Sequence, residues 1–241
     1  MSIEQFILDD ITIFPFGRPG VGKGTLCKAA SVILTQQHGY NTVHLESSKL
    51  LKDPKSPFFD QVQEIMAKGE LVPVPIMAPL MTEAISRILV DPNVNGALVD
   101  GFPRNEEQAK ALDEQMHDKP KIYLVVKAPA EIGVERILGR NEGRIDDNEE
   151  TAWRRQAIYD NDTDPMIDGI KTRVITDPNA LYCEIDGRQK KNDVLEEAMH
   201  VILETAKSGL HVARRKFMSG LLNNRRSFSM YSAHPVNTPQ L

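Results

Sequence analysis

The sequence predicts an α/β protein, a three-layer α/β/α domain built around a five-stranded parallel sheet. Short apolar segments of strand length alternate with segments whose apolar residues recur at helical spacing, which is the pattern of βαβ units. The strand-like segments are apolar at nearly every position, as is typical of parallel strands covered on both faces. With 241 residues, of which 41% are hydrophobic, the chain is long enough to bury such a core.

Each predicted element follows from its local pattern. Strands are predicted at residues 11–16, 40–45, 95–100, 122–127 and 180–186. Helices are predicted at residues 23–38, 73–90, 105–117, 129–139 and 192–206. The first helix carries Leu26, Ala30 and Ile33 on one face and ends at Gly39. Residues 47–72 and 140–148 interrupt the alternation, and long connections of this kind often form lids or binding loops.

Charge is distributed unevenly along the chain. The net charge is −5, but residues 208–241 carry +5 and no acidic residue, which leaves −10 on residues 1–207. An acidic body argues against nucleic-acid binding. The basic end predicts a separate C-terminal extension, 208–241, helical over 211–222 and disordered over 223–241. Its partner is unknown: an acidic protein, a membrane surface and a simple solvated tail all fit.

The sequence shows no pattern typical of a membrane span, a targeting peptide or a disulfide framework. No segment approaches the roughly 20 apolar residues that a membrane span needs. The first ten residues contain three acids and no base, unlike a signal or transit peptide. Cys27 and Cys183 are far apart and form no metal-ligand spacing, which favours two reduced thiols. We therefore expect a soluble, cytoplasmic, monomeric protein.

A glycine-rich segment between the first strand and the first helix is the strongest functional signal. It reads Gly17-Arg18-Pro19-Gly20-Val21-Gly22-Lys23-Gly24-Thr25. Glycines let backbone N–H groups turn inward around phosphate oxygens, and the N-terminus of a helix favours negative charge. Lys23 is placed to reach the β- and γ-phosphates of ATP and Thr25 to serve Mg²⁺, although Gly24 stands where the strict motif has Ser or Thr.

A second polar cluster, Asp100-Gly101-Phe102-Pro103-Arg104, follows the third predicted strand. The carboxyl ends of parallel strands face the ligand crevice of an open sheet. There Asp100 is placed to hold Mg²⁺ through water, and Arg104 to pair bidentately with a phosphate. A turn with a surface arginine is the alternative, and the neighbouring phosphate loop favours the ligand site.

Four arginines surround the second interruption, namely Arg136, Arg140, Arg144 and Arg155. Arg136 and Arg140 are one helical turn apart and share a face. A solvated face would explain any one of them, but the group joins Lys23 and Arg104 in an otherwise acidic protein. Phosphoryl transfer requires this kind of charge neutralisation and positioning, and a phosphate acceptor needs no general base.

These motifs resemble the nucleoside monophosphate kinases and, within them, the short-lid adenylate kinases, with UMP-CMP kinases as the nearest related type. The family pattern GxPGxGKGT is matched at 17–25 and DGFPR at 100–104, while G-x-L-V-P and G-R-x-D-D-N are matched at 69–73 and 143–148. The resemblance covers about residues 8–206. It implies a phosphate-loop kinase fold over residues 1–207, with a monophosphate-binding flap at about 47–72 and a short lid at about 140–148.

The resemblance also implies the roles of individual residues. The expected catalytic residues, which bind and neutralise the phosphates, are Lys23, Arg104, Arg140, Arg144 and Arg155. The expected ATP contacts are Gly17, Pro19, Gly20, Val21, Gly22, Lys23, Gly24, Thr25 and Arg136, with Arg136 stacked on the adenine. The expected AMP contacts are Ser47, Lys52, Val72, Gly101, Arg104 and Gln108. Thr25 and Asp100 hold Mg²⁺, the cofactor, and Asp146 and Asp147 position the lid arginines.

Two positions bear on the choice of nucleobase. Gln108, four residues after Arg104, resembles the reader of the adenine edge in adenylate kinases, where pyrimidine kinases tend to carry Asn. Ser47 stands where adenylate kinases carry Thr and pyrimidine enzymes often carry Ala. A glutamine amide donates and accepts at once, as the N1 and 6-amino groups of adenine require. The sequence therefore predicts transfer from ATP to AMP, with UMP, CMP or another monophosphate as the alternative acceptor.

The flap departs from the family pattern S-T-G-D-L-L-R, since it reads Glu46-Ser47-Ser48-Lys49-Leu50-Leu51-Lys52. Lys52 keeps the charge of the expected arginine but lacks its bidentate fork, so we expect weaker monophosphate binding. The departure also motivates an alternative of another class, a catalytically weak nucleotide-binding scaffold that acts through its tail. Deletion of residues 208–241 is expected to leave turnover unchanged. Pro15 is unusual for a central strand.

Overall fold

Five parallel strands form one sheet, and this sheet positions every feature of the site. The computed structural model describes residues 11–56, 58–68, 70–140 and 148–222, and its strand order is β2-β3-β1-β4-β5. The strands are β1 (Ile11–Gly17), β2 (Thr42–Glu46), β3 (Gly96–Asp100), β4 (Lys121–Lys127) and β5 (Ala180–Asp186). Every neighbouring pair is parallel. The predicted α/β fold with a five-stranded parallel sheet is confirmed.

Helices connect and cover the strands. They are α1 (Lys23–His38), α2 (Ser47–Leu51), α3 (Phe59–Ala67), α4 (Val74–Leu89), α5 (Glu106–Met116), α6 (Ala130–Leu138), α7 (Glu149–Ile158), α8 (Asp164–Val174), α9 (Lys191–Ser208) and α10 (Leu210–Leu222). A π-helical segment, Tyr159–Thr163, joins α7 to α8. Among the described residues no helix has both the length and the apolar character needed to cross a bilayer.

The core follows the strands, as the apolar runs predict. All seven residues of β1 are buried, and Phe14 and Tyr182 are among the largest fully buried side chains. α1 packs its predicted apolar face on the sheet, with Ala30 and Leu34 completely buried. A parallel sheet covered in this way leaves its strand ends as the natural place for a ligand.

Pro15 is accommodated by the way in which the central strand is paired. β1 pairs with β4 from Thr12 through Pro15 to Gly17. Its register with β3, by contrast, runs only from Ile11 to Ile13. The ladder to β3 therefore ends before the proline, whose missing N–H group breaks no bond there.

The first interruption and one further segment contain helices that the sequence prediction lacks. The flap region, 47–72, holds α2 and α3, and α8 was not predicted at all. Met166, Ile167, Ile170 and Val174 form the buried face of α8. Their spacing is helical, so a signal for α8 is present in the sequence.

The basic C-terminal extension begins with a helix that packs against the domain. The helix predicted at 211–222 is present as α10, and it contacts α9 and β5. Ala213 is fully buried and Phe217 is 3% exposed, so a solvated tail does not describe this part. The Arg214 guanidinium donates to the carbonyl oxygens of Asp177 and Ala180, which ties α10 to the start of β5. Residues 223–241, predicted to be disordered, lie outside the described residues.

Candidate active site

The loop between β1 and α1 folds around the ammonium group of Lys23. Lys23 Nζ donates to the carbonyl oxygens of Gly17 at 2.6 Å and Arg18 at 3.1 Å. Burial lowers the pKa of Lys23 to about 8, although the nearby Asp100 carboxylate favours its charged form. Gly22 caps α1 with φ +103, a conformation that side chains with a Cβ rarely adopt. The loop thus brings a cation and a helix N-terminus together, as an anion site requires.

α6 and α7 hold the outer side of this loop. A Cβ on Gly20 would lie 2.1 Å from the carbonyl oxygen of Gly133, and a Cβ on Gly133 would lie 2.4 Å from that of Pro19. Both glycines are therefore required by the close approach of the loop to α6. Gln156 Nε2, on α7, donates to the Pro19 carbonyl at 3.0 Å.

The Asp100 carboxylate stands beside the first turn of α1. A Cβ on Gly24 would lie 3.1 Å from Asp100 Oδ2, which shows how closely the two elements meet. Burial disfavours the charged carboxylate, but His44, Lys23 and Arg104 outweigh that effect, and the pKa of Asp100 lies below its ordinary value. Asp100 is therefore an ionised group next to the phosphate loop.

Thr25 and Asp100 together fit a hard divalent cation. The Thr25 side chain is exposed on the first turn of α1, and Asp100 is ionised at the end of β3. Glycine at position 24 keeps the carboxylate accessible from the loop. Oxygen donors of this kind, completed by water and phosphate oxygens, are the ligands that Mg²⁺ prefers.

Local hydrogen bonds hold Arg104 and Gln108 in place after β3. Arg104 Nε donates to the Gly101 carbonyl at 2.8 Å, and the Arg104 backbone N–H donates to Gln108 Oε1 at 2.9 Å. Gln108 Nε2 in turn donates to the Val72 carbonyl at 3.2 Å. Asn105 caps α5 by accepting from the Gln108 backbone N–H. These bonds use one N–H and one lone pair of the Gln108 amide, which has two of each.

A cleft between the flap and the segment after β3 collects most of the predicted AMP-binding residues. It is lined by Ser47, Ser48, Leu51, Met66, Glu70, Leu71, Val72, Met77, Arg104 and Gln108. Ser47 is 2% exposed, and a Cβ on Gly101 would lie 2.3 Å from its Oγ. Gly101 therefore lies directly against Ser47, a lining residue, and has no room for a larger side chain.

The other predicted cations lie on several different elements. Arg136 Nη1 donates to the Val21 carbonyl at 3.2 Å, which places it at the phosphate loop. Arg140 follows α6 and Arg155 lies on α7, and both are partly buried. Lys52 is exposed at the end of α2, outside the residues that line the cleft. Arg144, with Asp146 and Asp147, lies outside the described residues.

Several contributors to the site are missing from the sequence prediction. Besides Gly133 and Gln156, Arg18 joins the loop to the π-helical segment: its Nη2 donates to Asp160 Oδ1 at 2.5 Å. Its guanidinium also lies 4.9 Å from the centre of the Tyr159 ring. These contacts join distant parts of the chain, so no local pattern shows them. Of these residues, only Gly133 could have been found from the sequence. A glycine inside a helix costs stability, so it indicates that another segment packs closely against the helix backbone.

Fold and site together define a class, a parallel α/β protein with a phosphate-binding loop at the point where its strand order reverses. The family model described as adenylate kinase matches residues 16–175. The chain belongs to the adenylate kinase family and is an ATP-dependent nucleoside monophosphate kinase.

Similar curated proteins carry two kinds of name. The chain is 35% identical over 162 residues to UMP-CMP kinase 2 of Caenorhabditis elegans, covering 65% of this chain and 80% of that protein. It is 35% identical over 175 residues to adenylate kinase isoenzyme 1 of Cyprinus carpio, covering 70% and 85%. It is 28% identical over 200 residues to UMP-CMP kinase of Homo sapiens, covering 79% and 96%.

Proposed function

We propose that this kinase transfers the γ-phosphoryl group of Mg-ATP to AMP, giving two ADP. The choice of AMP rests first on the position of Gln108, which is buried in the cleft with its amide held by Arg104 and Val72. The amide has a second N–H and a second lone pair. These match the N1 acceptor and the 6-amino donor of adenine.

UMP or CMP is the second candidate acceptor, because several similar proteins are named UMP-CMP kinases. Cytosine offers the same acceptor and donor pair as adenine, so the amide alone does not separate them. Two features favour the purine. Gln108 is the residue type that adenylate kinases carry at this position, and Leu51, Met66 and Met77 give the cleft apolar contact area for a bicyclic base.

The cations of the site supply charge neutralisation and positioning. Lys23 binds the transferring phosphoryl group from within the loop, and Arg104 binds the monophosphate from the cleft. Arg140, Arg144 and Arg155 neutralise the phosphates, and Arg136 stacks on the adenine of ATP. The five cations other than Arg136 then face about six negative charges on the two nucleotides. In phosphoryl transfer this arrangement does most of the catalytic work.

Thr25 and Asp100 hold the Mg²⁺ of Mg-ATP, Asp100 through water. When bound, the metal neutralises part of the phosphate charge and orients the phosphate chain. Asp100 contributes by staying ionised beside the loop. Closure of the flap and the lid excludes water, which would otherwise hydrolyse ATP.

The decisive experiment measures ADP formation from Mg-ATP with AMP, UMP, CMP, GMP and dAMP in parallel. We expect AMP to have the highest kcat/KM, and Lys23→Ala to abolish turnover with every acceptor. Gln108→Asn should lower kcat/KM for AMP relative to UMP and CMP by about tenfold, the usual cost of one lost directional contact.

Gln115→Asn is the matched control, because Gln115 is an exposed glutamine on the same helix. It should leave the order of acceptors unchanged. If UMP or CMP leads in the wild type, the kinase is a pyrimidine enzyme and the role given to Gln108 is wrong. If no acceptor turns over while ATP still binds, the altered flap has abolished transfer, and the scaffold alternative replaces the enzyme.

A further inference from the structure

Three potential metal ligands converge beneath the phosphate loop. Cys27 Sγ, His44 Nε2 and Asp100 Oδ2 all lie within 4.8 Å of one another, and the last two are 3.9 Å apart. In the register of β2 and β3, Glu46 pairs with Asp100, so His44, two residues earlier, faces the same side of the sheet. Cys27 reaches the same point from α1. Three separate elements thus bring sulfur, nitrogen and oxygen donors together.

The burial of the His44 ring nitrogen has no explanation in the described hydrogen bonds. His44 Nε2 is buried and has no hydrogen-bond partner among the described residues. At 3.9 Å the Asp100 carboxylate is too far away to accept a hydrogen bond from it. Cys27 is 0% exposed. A buried ring nitrogen without a partner is costly, and such a group calls for a ligand that is missing from the protein atoms.

Glu46 faces the other nitrogen of the His44 ring. Its Oε1 lies 3.6 Å from His44 Nδ1 and 2.5 Å from Lys49 Nζ. A carboxylate at the second nitrogen favours the tautomer that carries its proton on Nδ1, and this leaves a lone pair on Nε2. In metal sites a carboxylate hydrogen-bonded to the second ring nitrogen orients the histidine, and Glu46 lies a few tenths of an ångström beyond that distance. Glu46 replaces the serine of the usual flap pattern, so this feature belongs to the present chain.

We propose that Cys27, His44 and Asp100 bind one thiophilic divalent cation, with Zn²⁺ as the reference ion. On binding, the S–H bond of Cys27 breaks and its proton passes to solvent. The thiolate sulfur, the imidazole nitrogen and the carboxylate oxygen each donate an electron pair, and water completes a tetrahedral shell. In such a shell the donor atoms lie about 3.5 Å apart. Small side-chain rotations reach that spacing from the present one.

The site is distinct in chemistry from the magnesium site but shares Asp100 with it. Mg²⁺ prefers oxygen ligands, whereas thiolate and imidazole select zinc-like ions. A cation held by Cys27 and His44 draws the Asp100 carboxylate away from Mg-ATP. Zn²⁺ should therefore inhibit this kinase, and the inhibition should depend on Cys27. The binding itself does not depend on which monophosphate is the acceptor.

The test is direct binding of the metal to the full chain without an affinity tag. Co²⁺ alone is titrated first, because cobalt bound to a thiolate gives a charge-transfer absorption band. Zn²⁺ is then added to displace it, and Zn²⁺ alone is titrated by calorimetry. We expect one site per chain with the thiolate band. Cys27→Ala should lose the band and weaken Zn²⁺ binding by more than about tenfold, since even outer-shell partners contribute that much.

Cys183→Ala is the matched control, because Cys183 is the other buried cysteine and lies on β5. It should keep both the band and the affinity. His44→Gln retains the thiol and should also weaken binding by more than about tenfold, as should Glu46→Gln. His44→Gln serves as the test if Cys27→Ala fails to fold in thermal melts. Absence of the band in the wild type, or unchanged affinity in the Cys27 and His44 variants, would overturn the proposal.

Discussion

Lys52 occupies the flap position where the family pattern carries arginine. It ends α2 and is exposed, outside the residues that line the cleft. A lysine offers a point charge to a phosphate, whereas an arginine offers two parallel N–H donors. Position 52 therefore keeps its positive charge but lacks the two parallel N–H donors of an arginine. Its acceptor site depends correspondingly more on Arg104, which is held by the Gly101 carbonyl.

Lys52→Arg is expected to lower the KM for the monophosphate about fivefold, with little change in kcat. The reason is that one extra charge-assisted hydrogen bond is worth about 1 kcal/mol at such a site. Steady-state kinetics with the monophosphate varied at saturating Mg-ATP measures this change. Lys55→Arg, an exposed lysine in the same region, should leave KM unaltered. Equal effects of both substitutions would contradict a specific role for position 52.

At the scale of elements, the edge of the sheet at β5 is held by hydrogen bonds and ion pairs to Glu184 and by the packing of α10. Glu184 Oε1 accepts from Lys171 at 2.9 Å and from the Tyr182 hydroxyl at 2.8 Å, and it pairs with Lys127 at 3.0 Å. α10 then covers this edge through Ala213 and Phe217. We propose that the folded domain extends beyond residue 207 to include this helix.

Phe217→Ala is expected to destabilise the protein by about 3 kcal/mol, because it leaves a cavity under α10. Denaturant unfolding followed by circular dichroism measures the free energy of unfolding. Val212→Ala, on the exposed side of the same helix at 43% exposure, should cost less than about 0.5 kcal/mol. Similar small losses in both variants would show that α10 adds no stability. That result would agree with the sequence-based expectation that deletion of residues 208–241 leaves turnover unchanged.

Glu184→Gln is expected to change the pH dependence of stability. Burial raises the pKa of Glu184, but Lys171, Tyr182 and Lys127 outweigh it and lower the pKa from 4.5 to about 2. Its stabilisation, about 2 kcal/mol once solvent screening of this partly exposed group is discounted, is therefore full above pH 4.5 and is lost as the pH falls towards 2. The variant should be less stable near pH 6, and the difference should close only near pH 2. Urea melts across this range test it, with exposed Glu114→Gln as the control; a gap that persists at low pH contradicts the assignment.

At the scale of the whole molecule, the nucleotide sites are joined by contacts between segments far apart in the chain. Arg154, on α7, donates from Nη1 to the carbonyl of Lys68 at the end of α3, at 2.9 Å. α7 follows the predicted lid, and α3 lies in the flap. The hydrogen bond therefore links the helix that follows the predicted lid to the predicted flap.

Arg154→Ala is expected to raise the KM for both substrates two- to fivefold, because it removes about 0.5–1 kcal/mol from the arrangement in which flap and lid helix are joined. Arg87→Ala is the matched control. Both arginines form an exposed i,i+4 ion pair, Arg154 with Glu150 and Arg87 with Glu83, but Arg87 lies on α4. Steady-state kinetics of both variants, with each substrate varied in turn, measures the effect. An unchanged KM in Arg154→Ala would contradict a functional role for the hydrogen bond between Arg154 and Lys68.

Much of the fold and part of the site follow from local sequence. The five strands and the helix after the phosphate loop are encoded in periodicity and in glycines such as Gly39, since burial on both faces imposes an apolar run and a helix end imposes a left-handed residue. α2, α3 and α8 are absent from the prediction. The flap helices are short, and α8 follows a polar stretch that hides its apolar face.

The sequence by itself determined the chemistry of this protein: a loop that binds phosphate, Asp100 and Arg104 at the end of a parallel strand, and hence a nucleoside monophosphate kinase. These features are local, because a phosphate loop needs only a strand, glycines and a helix in succession. Only the tertiary structure decided what surrounds them. Four features join distant segments. They are the contact of Gly20 with Gly133, the hydrogen bond from Gln108 to Val72, the proximity of Cys27 to His44 and the packing of α10. Such contacts depend on how the helices cover the sheet, so the local sequence around each residue does not predict them.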